Sequence, residues 1–179
     1  VAYPARREKF ETPANLRAET EIVSEIRKAS GLFFVKLPPM YHVEGVLLQT
    51  AASRGEAPRD PVAILELGGP GDVVTVDAVV EVKERHILPR DLSSVILSVE
   101  KVIRGTELAG FLRVPFFFAV RFADRAIRVA EIQYGPRWTT GIGGRRVDRD
   151  GYDREIVVHV PMGEFLPLDE WAAPESSLP

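Results

Sequence analysis

Residues 73–85, VVTVDAVVEVKER, constrain the fold more than any other stretch of the chain. Side chains of a strand alternate between its two faces. Val74, Val76, Ala78, Val80 and Val82 therefore share one uniformly apolar face. That face has to be covered by a helix or a core, so the segment reads as a strand within a folded sheet domain. The opposite face carries Thr75, Asp77, Val79, Glu81, Lys83 and Arg85 and grows charged toward its C-terminal end. From this stretch alone, two explanations of Glu81 and Lys83 stand side by side: an amphipathic strand with one wet face, or a pair of working groups.

The remaining elements follow from periodicity and punctuation. A chain of 179 residues, 45% hydrophobic and 27% charged, suits a single globular domain with a sizeable core. Thr12 is a plausible N-cap with Pro13 at the first helical position, and Leu16, Ile22, Val23 and Ile26 form one stripe that Gly31 ends. LFFVKLP (32–38) and YHVEGVLLQT (41–50) read as strands, AASRGEAPRD (51–60) as a loop, and PVAILEL (61–67) as a strand joined to 73–85 by the turn GGPGD. Asp91 can cap a helix over 92–103, with Leu92, Val95, Ile96, Val99, Val102 and Ile103 on one face. VPFFFAVRF (114–122) is a near-continuous apolar run, which predicts a buried strand with Phe116, Phe117 and Phe118 in the core. AIRVAEIQ (126–133) and IVVHVPM (156–162) are further strands, and 135–155 reads as a Gly- and Arg-rich loop. The order predicts an α/β (α+β) domain, a central mixed β-sheet flanked by helices. Its expected bounds are a flexible arm at 1–11, the domain at 12–165 and a C-terminal tail at 166–179, mobile from Asp169.

Composition narrows the function classes. The net charge of −3 gives no overall basic signature, so a nucleic-acid partner has to be held by a local patch. Arg supplies 18 of the 23 basic residues, which suits bidentate phosphate contacts, although genomic base composition produces the same bias. With no cysteine there are no disulfides, thiolate metal sites or cysteine nucleophiles, and a reducing, cytoplasmic setting is expected. No stretch approaches the ~18 apolar residues of a membrane span. His42, His86 and His159 are too far apart to form a metal pair and read as rim residues. GGPGD lacks the strand-to-helix context of a nucleotide loop, and no G-x-S-x-G elbow occurs.

Three carboxylates then stand out on three separate elements. At 100° per residue Glu19 falls near the centre of the apolar stripe of the first helix, where a charge needs a cation or a metal to compensate it. Glu44 sits on the second strand beside Gly45, which permits close approach of backbone or ligand. Glu81 precedes Lys83 by two residues. Asp77 is placed on the same face as Glu81 but roughly 13 Å along the strand at ~3.3 Å per residue, too far for a shared ion.

This arrangement resembles the PD-(D/E)XK nuclease superfamily, with its restriction-endonuclease-like fold. Glu81-Val82-Lys83 matches the (D/E)-x-K motif, Glu44 falls where the family keeps an Asp, and Glu19 where Holliday-junction resolvases keep a helix Glu. KLPPMYHVEGVLL, VVEVKER, LSVEKV, VRFAD and GGRRVDRDGYDREIVVHVP look like segments of small phage and bacterial resolvase-like members, over residues 12–165. The resemblance implies Mg²⁺- or Mn²⁺-dependent phosphodiester hydrolysis of DNA, less readily of RNA. It implies Glu44, Glu81 and the carbonyl of Val82 as metal ligands, Glu19 as an assisting carboxylate and Lys83 as the group that orients water and phosphate. Substrate contacts are expected from Arg85, Ser98, Lys101, Arg145, Arg146 and Arg149. A solvent-facing Lys101 and a self-neutralised loop at 143–155 are the competing expectations. Many resolvase-like nucleases are dimers, and a homodimer is allowed here. Two rival outcomes stay open: the fold kept for binding without catalysis, because Glu replaces Asp at 44, and an unrelated β-rich module.

Overall fold

The computed structural model describes residues 13–37, 43–50, 74–133, 138–144 and 154–171. The expected arm, the loop 51–60, the strand 61–67 with its GGPGD turn, His42, Arg145, Arg146 and Arg149 lie outside the described residues.

One valine-rich strand organises the rest. Strand β3 (Val74–Glu84) lies between β2 (Gly45–Thr50), to which it is antiparallel, and β5 (Phe116–Arg121), to which it is parallel. A parallel neighbour requires a crossover. Here the crossover runs through β4 (Ser94–Ser98) and helix α2 (Val99–Leu112). The sheet is completed by β1 (Phe33–Lys36), β6 (Ile127–Glu131) and the short β9 (Leu166–Pro167), in the order β1-β2-β3-β5-β6-β9. A second, three-stranded sheet runs β4-β8-β7, with β7 at Thr139–Gly144 and β8 at Arg154–Pro161. This is the expected class, a mixed sheet flanked by two helices in an α+β domain.

Both faces of the large sheet are covered. On one face Ile22 and Ile26 of helix α1 (Pro13–Ser30) pack on Ala78, Val80, Val82, Phe117 and Ala119. On the other, Val79, Phe116, Phe118 and Val120 meet Val95 and Leu97 of β4, Val102 and Ala109 of α2, and Val158 and Val160 of β8. Phe116, Phe117 and Phe118 are core residues, as expected from their apolar run. The strand alternation shifts at one point: Leu47 pairs with Ala78 but Leu48 with Val76, and Val76 packs on the same side as Val79. The irregularity leaves Asp77 unmatched in the ladder, so the simple alternation that put it on the face of Glu81 does not hold through it.

Four expectations are corrected. Residues 94–98 are strand, not helix: Val95 and Leu97 are buried while Ser94 and Ile96 are only partly so, a period of two, and the segment pairs with β8. Its β-branched residues suit both elements' apolar patterns, and tertiary pairing decides. Helix α2 starts only after Ser98 and runs on to Leu112. Thr139–Gly144, glycine-rich and loop-like by composition, forms β7 because β8 supplies a complete antiparallel partner. Beyond the expected domain end, Leu166–Pro167 pairs with β6 and Trp171 is buried edge-on against Phe117 at 5.4 Å. The buried line of α1 runs through Ala18, Ile22 and Ile26, whereas Leu16 is exposed, so Glu19 lies on the flank of the stripe and not at its centre.

Two local features fix the layers. A Cβ on Gly105 would collide with the ring of Phe116, so only glycine lets α2 lie this close to β5. Arg121 is 2% exposed yet charged, and it is held by Glu84 of β3 (Nη2–Oε1 2.7 Å) and Glu21 of α1 (Nη1–Oε2 2.6 Å). Glu21 thus ties α1 to the sheet and also meets Arg125. Hydrogen bonds from Arg121 and then Arg125 hold its carboxyl below the usual range.

Gly105→Leu is expected to lower unfolding stability by about 1–3 kcal/mol through overpacking against Phe116, measured by urea denaturation. Glu21→Gln should destabilise the protein at neutral pH. Because the folded pKa of Glu21 is depressed, its contribution is present above its unfolded pKa and lost as pH falls through the folded one. The Tm gap between parent and variant should therefore close on acidification. A gap independent of pH would remove the ion pairs as its cause.

Candidate active site

The E-x-K segment lies at the C-terminal end of β3. Val79 N donates to Pro115 O (2.9 Å) and Arg85 N to Arg121 O (2.8 Å), so alternate residues from 79 to 85 bond to β5. The backbone groups of Val82 consequently turn toward the β2 side. Pairing with β2 ends at Gly45↔Val80. The Val82 carbonyl thus faces the gap where the chain departs through Glu44, while the Val82 side chain is buried beneath α1.

Glu81 is fully buried, on the face covered by β4, β8 and α2. The wet-face explanation of this residue therefore fails. Its Oε1 accepts a close ion-pair hydrogen bond from Lys101 Nζ of α2. Its Oε2 is buried without a hydrogen-bond partner among the described residues. Burial pushes the Glu81 carboxyl above its ordinary pKa; Lys101 and Lys83 pull it down, and Glu44 adds to the rise. Lys83 is partly buried, and its ammonium is lowered to about 8, first by burial and then by Arg85 and Lys101, against the pull of Glu81 and Glu155.

A second group of charges lies where β1 meets β2. Lys36 Nζ is 2.8 Å from Glu44 Oε1 and 3.3 Å from Glu19 Oε2. Burial disfavours the charged lysine, but Glu44 and then Glu19 outweigh it and hold the ammonium above its ordinary value. A Cβ on Gly45 would strike the Val35 carbonyl and the Phe34 ring, so this glycine does permit a close approach, that of β1.

The expected site residues therefore fall into two adjoining sets. Glu81, Lys83 and Lys101 form one, with Ser98 buried one helical turn before Lys101 at the N-cap position of α2. Glu44 and Glu19 form the other, joined by Lys36. Lys101 does not face solvent: with the helix starting at Val99 and not Leu92, it is aimed at β3. Arg85 donates from Nη2 to the Ile96 carbonyl at 3.2 Å, which commits part of its guanidinium to the fold. His86 is exposed and His159 hydrogen-bonds Ser94 at 3.2 Å, in keeping with rim and structural roles. Lys36 was missed in the sequence. The signal was present, since a carboxylate beside an apolar helix stripe demands a cation, but nothing in the spacing says which cation.

Among the described residues no three His, Cys, Asp or Glu side chains converge as a metal cluster. A hard divalent ion needs only one or two carboxylates, other oxygens and waters. Glu81 with its unpartnered oxygen, Glu44 and the Val82 carbonyl fit that donor set, with Lys101 and Lys36 now covering the carboxylates. A groove of about 460 Å³ between α2 and β8 is a poor bed for a phosphate backbone, since Glu100, Glu107 and Glu155 outnumber Arg104 along it.

A family model described as "Phage putative PDDEXK endonuclease" matches residues 5–168. No curated protein sequence matches the chain. Among solved structures, that of Archaeoglobus fulgidus Hjc, a Holliday junction resolvase, is similar at 14% identity with a TM-score of 0.46, over 84% of this chain and 96% of that one.

A buried carboxylate with a raised pKa costs stability at neutral pH even when paired. Glu81→Gln is accordingly expected to raise the Tm of the metal-free protein at neutral pH, by about 2–4 °C for each kcal/mol recovered. Scanning calorimetry in chelator checks this, and a fall in Tm would show that the Glu81–Lys101 pair stabilises the fold.

Proposed function

The chain belongs to the family of phage PD-(D/E)XK endonucleases, and from that membership we propose that it hydrolyses phosphodiester bonds of DNA with the help of Mg²⁺ or Mn²⁺. The observation that carries this reading is the Glu81 carboxylate, fully buried, with one oxygen unpartnered among the described residues and Lys83 two residues on. A half-satisfied buried charge is costly to a fold, and groups of this kind cluster at active sites. Glu44, Glu81 and the Val82 carbonyl would hold the ion, which when bound activates a water and neutralises charge on the phosphate.

The chain's own side chains have definite tasks in this scheme. Lys83, with a pKa lowered to about 8, presents a poorly solvated cation beside Glu81. It would orient the scissile phosphate and offset the charge that develops on it. Lys101 neutralises Glu81 while the ion is away and, released from it, supplies a second cation one helical turn from Ser98. Glu19 keeps Lys36 on Glu44. Substrate contacts by Ser98, Lys101, Arg85, Arg145, Arg146 and Arg149 belong to the same proposal. So does a homodimer, which would present two sites to a branched substrate. Among the described residues no helix is long and apolar enough to cross a membrane.

A second reading has its own observation. Lysines cover both Glu81 and Glu44, as in a protein that keeps the fold and binds without cutting. Cleavage of single-stranded, duplex and branched DNA with Mg²⁺ or Mn²⁺ separates the two. Glu81→Ala and Lys83→Ala, both folded, are expected to lower cleavage about 100-fold or more. Wild-type protein that cuts no substrate and binds no metal by calorimetry would leave the binding reading in place.

A further inference from the structure

We propose that the Lys36 ammonium is a resident cation that occupies the place of a second divalent ion between Glu19 and Glu44, and so restricts the site to one metal. The proposal deepens the metal-dependent reading above and rests on it for the meaning of the first ion.

Three elements converge to make this position. Lys36 ends β1 on the same face as Phe34, two residues earlier, and Phe34 packs on the α1 side of the sheet. Glu19 reaches it from α1. Glu44 reaches it from the residue before β2, where Leu37 N donates to Glu44 O at 3.0 Å and holds the two chain segments together past the end of the ladder. The Nζ atom stands 3.3 Å from Glu19 Oε2 and 2.8 Å from Glu44 Oε1, so two carboxylates on separate elements bracket one positive charge.

Two carboxylates and water are the usual protein share of a Mg²⁺ or Mn²⁺ site. The Lys36 side chain is 52% exposed, so water reaches the position freely. The ammonium satisfies the same pair of oxygens as an ion would, and its charge repels any ion that approaches them. It also ties down Glu44 by Oε1. A glutamate, longer than aspartate, gains a fixed direction in this way. Lys36 is on this account a positioning residue with a second effect, the exclusion of a second ion.

Titration calorimetry with Mn²⁺ tests this on the whole chain, with circular dichroism to verify folding. Lys36 is half exposed on an edge strand, so Lys36→Gln should fold, and Lys36→Met repeats the comparison should it not. The Gln variant is expected to bind one Mn²⁺ more per chain than wild type. Lys36→Arg, which keeps the charge, is expected to match wild type. Glu19→Gln added to Lys36→Gln is expected to remove the extra ion. Equal stoichiometry in wild type and Lys36→Gln, or an extra ion that survives Glu19→Gln, would overturn the proposal. The wild-type count bears separately on the function: one ion supports it and none counts against it, while the difference between wild type and variant still decides the role of Lys36.

Discussion

A carboxylate with no exposed surface, Glu81, is held in the middle of the protein by the ammonium of Lys101. Much of the architecture can be understood as the means of keeping that charge buried. The strand that bears it is covered on one side by α1 and on the other by α2 and the second sheet. Leaving one buried oxygen unpartnered among the described residues is unfavourable in a low-dielectric interior, and the extensive aliphatic and aromatic core on both faces has to offset it. The Glu81–Lys101 contact also fixes where α2 sits relative to β3, as does the absence of a side chain at Gly105 against Phe116.

Cations are used in three ways around this sheet. Arg121 is an internal strut, fully buried and satisfied by Glu84 and Glu21. Its fork of donors suits fixed bidentate contacts. Lys101 and Lys36 are compact charges on flexible stems, each set on a carboxylate of the candidate site. The ammonium of Lys101 can be moved aside from Glu81 by an ion of higher valence more readily than a clamped guanidinium, whereas Lys36 is bracketed by two carboxylates. Lys83 sits in surroundings whose burial brings its pKa down to about 8, and it is the cation two residues from Glu81 on the same strand.

The sequence was most legible where burial and periodicity agree. The valine run of β3, the phenylalanine run of β5 and the helix from Pro13 are all present, and the Glu81-Val82-Lys83 motif lies at a strand end, as its pattern implies. It was least legible where a partner decides the structure. Ser94–Ser98 carries an apolar pattern that serves either a helix or a strand, and β8 selects the strand. Thr139–Gly144 has too much glycine to declare itself as a strand without β8 beside it. The same holds for charges. Glu21 gave no sign of its pairing with Arg121, a hundred residues away, and nothing in the spacing marked Lys36 as the cation of Glu19 and Glu44. Long-range ion pairs leave no local periodicity, so the candidate carboxylates could be read from the chain and their cations could not.

The central claim is that the Glu81 carboxylate, now shared with Lys101, is the anchor of a divalent ion. A crystal structure of the Mn²⁺-soaked protein with anomalous diffraction measures this directly. The account predicts an anomalous peak bound by Glu81, Glu44 and the Val82 carbonyl, at roughly 2.0–2.2 Å from their oxygens, with Lys101 Nζ withdrawn from Glu81. Absence of a peak at saturating Mn²⁺, with Lys101 still paired to Glu81, would contradict it and leave the buried carboxylate as part of the fold.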